Sequence, residues 1–248
     1  MNALPVETAT FLILFARVGA VLMLLPVFSE EGVPAQIRLL ISLGMALGLW
    51  GLLGPRIPAE AAGVLPSTII TELLVGFAIG AIVRIMVLAA VMAGSLVSLQ
   101  VGLSSAVIFD PSQGGQIPLL AKFVAVAAAV VCLSVGIHHL WIGAIIRSYE
   151  MFPVGGLPPA NDFAQLAIRT ITHSMALGLS LAAPLIVYGI VFNAALGLMA
   201  RLAPAIQIFF IAQPLNILLG IALFTTVLGT MLATFSNEMA SWLNTGWS

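Results

Sequence analysis

Residues 99–120 read LQVGLSSAVIFDPSQGGQIPLL, a half-polar break between two of the most apolar stretches of the chain. Asp110-Pro111 does not continue a helix comfortably, because proline lacks the backbone donor and pushes the preceding residue toward extended geometry. Gly114-Gly115 adds backbone freedom that a tight connection would not need. The stretch therefore reads as helix, loop, helix. The loop covers 104–118 and carries apolar Val107, Ile108 and Phe109 at its leading edge.

The flanks decide the fold class. Of 248 residues, 61% are hydrophobic and 7% charged, against roughly 25% charged in soluble domains. Mean hydropathy is +1.19. Such a chain is an integral membrane protein or a subunit buried in a hydrophobic assembly. A net charge of −1 with no basic patch argues against nucleic acid, whose phosphates need cations. The first apolar run opens MNALPVETAT, without a positive n-region or a cleavage site, and is expected to be a mature helix. The single Cys132 lies in an apolar run, so an intrachain disulfide and a cysteine metal site are both excluded.

A span needs about 20 mainly apolar residues. Thr8 to Phe28 and Ala35 to Leu53 qualify, separated by SEEGVP with its helix-breaking Gly32 and Pro34. Ser67 to Phe109 is too long for one span and predicts two helices or a bent hairpin turning near Gly94-Ser95. Leu119 to Ile146 follows the loop, and a second connection, SYEMFPVGGLPPANDF, covers 148–163. Ala164 to Met199 is again long, with a kink expected at Pro184 and Gly189. Ile206 to Phe235 closes the chain. The expectation is an all-α fold of six to seven hydrophobic helices with kinked or broken segments, forming one domain over 1–248.

Charges fall inside these runs. Arg17, Glu72, Arg84 and Arg169 each sit where a central charge costs roughly 2.5 to 3.5 kcal/mol. The helices must pack on protein or line a polar cavity. Gly44 and Gly48, then Gly76 and Gly80, have GxxxG spacing that allows close helix approach. Ion pairs inside one ordinary bundle are the plainer reading; a proton relay would need more acids.

No catalytic constellation is present: HExxH, GxSxG and GxxxxGK[ST] are all missing. His138-His139 point about 100° apart on a helix and lack accompanying ligands. Trp141, Trp242 and Trp247 read as interfacial anchors. No cofactor and no enzymatic activity are expected.

Three stretches carry a resemblance. They are the quoted 99–120; HHLWI at 138–142 with FPVGG at 152–156; and NAALGLMARLAPAIQIFFIAQPLNILLG at 193–220. Together, in this order and spacing, they resemble the FliR-like export-gate subunits of flagellar and virulence type III secretion. The resemblance implies helical hairpins forming one subunit of a helical, cone-like gate at the basal body in the bacterial inner membrane. It implies assembly with FliP and FliQ, further contact with FlhB and FlhA, and unfolded flagellar proteins as cargo. It also implies that the loop over 104–118 plugs the channel. Val107, Ile108 and Phe109 would then seal it, Asp110-Pro111 would aim it and Gly114-Gly115 would let it yield. Ser105 and Ile108 stand where family members often carry aromatics. Arg17, Glu72, Arg84, Arg201 and Pro204 are the expected assembly contacts. The equivalent virulence subunit is one alternative. A small-molecule secondary transporter is another, but it would want paired broken helices and a coupling acid.

Overall fold

The computed structural model describes residues 6–28, 32–103, 118–157, 159–202 and 208–245. Among these the fold is all-α, with seven α-helices and two short 3₁₀ turns. They are α1 (Val6–Leu24), α2 (Ala35–Leu53), α3 (Leu65–Val101), α4 (Leu119–Ser134), α5 (Ile137–Met151), α6 (Ala160–Leu202) and α7 (Ile208–Thr245). Five of them, α1, α2, α3, α6 and α7, are long and apolar enough to cross a membrane, and the broken pair α4 and α5 would add a sixth. The protein is a multi-pass membrane type.

Two helices depart from the sequence expectation. The turn near Gly94-Ser95 is absent, and α3 runs unbroken from Leu65 to Val101. Gly94 serves packing instead: a Cβ there would stand 2.6 Å from the Ala121 Cα. Ser95 Oγ donates to the Val91 carbonyl one turn back, which keeps its polar group inside the helix. Conversely, the run from Leu119 to Ile146 is broken, because Gly136 takes a left-handed φ of 86° between α4 and α5. The second connection is shorter than 148–163, since α5 continues to Met151 and α6 starts at Ala160. Pro184 lies within α6, which is assigned as one helix throughout.

Residues 1–86 with 138–172 form one compact unit, and 87–137 with 173–248 another, joined by the continuous helices α3 and α6. In the first unit α1 is the core: Ile13, Leu14, Val18 and Val21 are buried. Gly76 and Gly80 bring α3 against it, for a Cβ at Gly76 would meet the Arg17 carbonyl at 2.6 Å and one at Gly80 the Leu24 Cβ at 2.8 Å. That is the close approach their spacing predicts. Gly44 and Gly48 have nothing within 4 Å, so their face of α2 is open. In the second unit Gly178 meets Ala89 and Met92, and Gly220 meets Val101.

Candidate functional site

The first unit holds a charge cluster at its centre. Arg17 and Glu72, 55 residues apart in sequence, pair side by side: Nε donates to Oε2 at 2.5 Å and Nη2 to Oε1 at 2.9 Å. Both side chains are fully buried. The remaining nitrogen, Nη1, donates to the carbonyls of Ser148 at 3.2 Å and Phe152 at 3.0 Å, with the Ser148 hydroxyl at 3.5 Å. Glu72 Oε1 also accepts from the Gly155 amide at 3.2 Å. Gly155 is itself left-handed, with φ 79°. The guanidinium lies 4.0 Å from the centre of the Tyr149 ring, a cation–π contact. No partner satisfies the Tyr149 hydroxyl among the described residues, so the ring face is what this residue contributes.

This arrangement meets the condition under which a buried ion pair is tolerable: bidentate geometry, with the remaining protons and lone pairs also bonded. It ties α1, α3, the end of α5 and the 152–156 turn together. The ion pair itself is closed, since both carboxylate oxygens and each guanidinium nitrogen are bonded inside the chain. The sequence flagged Arg17 and Glu72 singly; it did not identify Ser148, Tyr149, Phe152 or Gly155 as their surroundings. The FPVGG stretch was the available signal.

The second unit holds a polar cluster at the root of the 104–118 loop. α3 ends in a left-handed glycine, Gly102, with φ 85°. The Gly102 amide bonds the Leu99 carbonyl and the Leu103 amide bonds the Ser98 carbonyl, the paired closure of a Schellman motif. Side chains of α7 then satisfy the carbonyls beyond: Asn216 Nδ2 donates to the Gln100 oxygen and Gln213 Nε2 to the Gly102 oxygen, both at 3.2 Å. Tyr188 on α6 donates to Asn216 Oδ1 at 2.9 Å. Sequence reading did not single out Gln213, Asn216 or Tyr188. Polar side chains inside apolar runs were the signal.

The other expected site residues are placed differently. Arg84 and Arg201 are exposed on α3 and α6, and Arg169 likewise. None has an acidic partner among the described residues. Val107, Ile108, Phe109, Asp110, Pro111, Gly114, Gly115 and Pro204 lie outside the described residues. Trp141 is 2% exposed, so it packs within the chain rather than anchoring at an interface; the unbonded indole nitrogen fits that burial. The His138 and His139 rings lie 4.1 Å apart between centres, tilted by 37°.

Known proteins resemble this chain along nearly its whole length. The family of bacterial export proteins, family 1, matches residues 8–242. The flagellar biosynthetic protein FliR of Caulobacter vibrioides is 40% identical, covering 90% of each chain. FliR of Escherichia coli is 32% identical over 91% of this chain and 86% of its own. FliR of Bacillus subtilis is 26% identical over 99% and 96%.

Proposed function

Because the chain belongs to the bacterial export proteins of family 1, the family that includes FliR, we propose that it is a core subunit of the flagellar type III protein export apparatus. With FliP and FliQ it forms the gated channel that passes unfolded flagellar subunits across the bacterial inner membrane, in the flagellar basal body, where FlhB and FlhA are further partners. The observation that carries this reading is the match to flagellar export proteins over residues 8–242. The FliR relatives named above are flagellar, which favours that system over the virulence one.

Two physical features support a subunit role. Large apolar side chains remain exposed on every long helix, among them Val6, Leu40, Leu74, Val191 and Leu218. Arg84, Arg169 and Arg201 are exposed on α3 and α6 with no acidic partner among the described residues. A lone chain cannot satisfy both in one solvent. The Gln213 and Asn216 contacts fix the end of α3, from which the proposed plug over 104–118 departs.

Deleting the gene should abolish motility and export of hook and filament subunits, and restoring the chain should recover both. A tagged chain should bring FliP and FliQ through detergent purification. Export at native levels without the chain would refute the reading. Removing Val107 to Gly115 should leave the complex assembled but leaky to ions. If the shortened complex stays ion-tight at rest and during export, the loop is only a tether.

A further inference from the structure

α3 carries one face that no single solvent satisfies. Ile70, Leu74 and Phe77 are 60%, 52% and 42% exposed, and Arg84 is exposed at the same helical register. Spacings of three, four and seven residues put them on one stripe. Lipid would cover the apolar side chains but strand the cation. Water would solvate the cation but leave the apolar stripe bare. A protein face that is apolar with one anion satisfies both.

A lipid headgroup does not serve in place of that anion. Arg84 lies near the middle of a 37-residue helix, with about 25 Å of helix on each side at 1.5 Å per residue. Snorkelling relieves charges near helix ends. A bilayer surface at Arg84 would put one apolar half of α3 in water, and the half beyond, IMVLAAVMAGSLVSLQV, carries no charge.

Among the described residues, a second copy of this chain does not offer the anion either. Among the described residues, Glu72 is the one acid inside an apolar helix away from its terminal turns, and it is fully buried against Arg17. Glu7 and Asp162 are in the first turns of α1 and α6, Glu60 is in a 3₁₀ turn, and Glu150 ends α5 beside Arg56. Glu238, near the end of α7, faces His173 at 3.7 Å.

We propose that the α3 face bearing Ile70, Leu74, Phe77 and Arg84 docks an apolar helix of a different subunit, which presents a carboxylate opposite Arg84. This deepens the assembly reading above and rests on it. The guanidinium then makes a desolvated, bidentate contact that fixes the register of the two helices.

The test uses the tagged full chain, expressed with its native partners and purified as a complex. Arg84→Leu should lower complex recovery at least about tenfold, because it leaves the partner's carboxylate buried and unpaired. Arg84→Glu should lower it further, and Arg84→Lys should retain most of it. Arg84 has no ion pair among the described residues, so all three variants should match native melting when purified without partners. A photo-crosslinker at Phe77 should join the chain to another subunit. Exchanging that subunit's nearby acid for arginine should restore recovery of Arg84→Glu.

Native recovery with Arg84→Leu would overturn the proposal alone, as would crosslinks only to lipid or to a second copy. A native chain that brings no other subunit through purification would overturn the assembly reading as well.

Discussion

α3 carries two charges and handles them in opposite ways. Glu72 is fully buried and has every oxygen engaged within its own chain. Arg84, three helical turns later, is exposed without an acidic partner among the described residues. The neighbouring face explains the difference. Gly76 lets α1 approach until a Cβ would collide with the Arg17 carbonyl, which brings the Arg17 guanidinium to Glu72. Arg84 lies about 80° round the helix from Gly76, on the exposed stripe of Ile70, Leu74 and Phe77. The first charge therefore specifies how the chain folds, and the second, under the docking proposal, what the folded chain meets.

The largest expected effect tests the internal side of that contrast. Glu72→Leu strands a buried guanidinium and should destabilise the detergent-solubilised protein by about 3–5 kcal/mol, the usual consequence of halving a buried pair. Arg17→Met combined with Glu72→Leu should recover most of that loss, since well-packed apolar residues can replace a buried pair at little net cost. Size-exclusion recovery after graded heating reads both. If the double variant is as unstable as the single, the hydrogen bonds to Ser148, Phe152 and Gly155 outweigh the pair itself.

Gly76→Ala comes next. Its Cβ would stand 2.6 Å from a backbone oxygen and 2.7 Å from the Ala20 Cβ, so α1 must move, and overpacking of this kind costs about 1–3 kcal/mol. Gly44→Ala places the same methyl in open space and should be neutral or raise stability by up to about 1 kcal/mol through helix propensity. Equal losses at the two sites would mean that α3 does not depend on its approach to α1.

Asn216→Ala should cost about 1–2 kcal/mol by removing the donor to the Gln100 carbonyl and one acceptor for Tyr188. The sole cysteine, Cys132, is buried in the same unit, so its alkylation rate reports this opening without background. An unchanged rate would separate the α3 terminus from the packing of α4.

Much of the helix inventory was legible because it rests on local signals. Pro34 and the Gly54-Pro55 pair bracket α2, and the predicted bounds Ala35 to Leu53 are the observed ones. Glycine was the ambiguous signal. At Gly94 it permits contact with α4, whereas at Gly136 it turns the backbone. Only the neighbouring helix distinguishes those roles, and its position is not local information. The same limit applied to Arg17 and Glu72. Each was conspicuous as a charge in an apolar run, but a pairing across 55 residues depends on how α1 and α3 pack. Arg84 and Arg169 looked like Arg17 in sequence, each a cation inside an apolar run, and only burial separates them.

The smallest expected effect comes from the third arrangement of charge in the first unit. Arg56 Nη1 donates to Glu150 Oε1 at 2.9 Å, with the side chains 42% and 62% exposed. Solvent screens this pair, and holding two long side chains in one geometry offsets part of the attraction, so Glu150→Gln should cost between about 0 and 1 kcal/mol. Raising salt should erase even that, because exposed charges are screened within about a Debye length. The fully buried Arg17–Glu72 pair should respond far less to salt. Melting of native, Glu150→Gln and Glu72→Leu proteins at low and high ionic strength gives the comparison directly. If the Glu72→Leu loss also vanishes in salt, water reaches the Arg17 cluster, and its role as the closed internal counterpart to Arg84 fails.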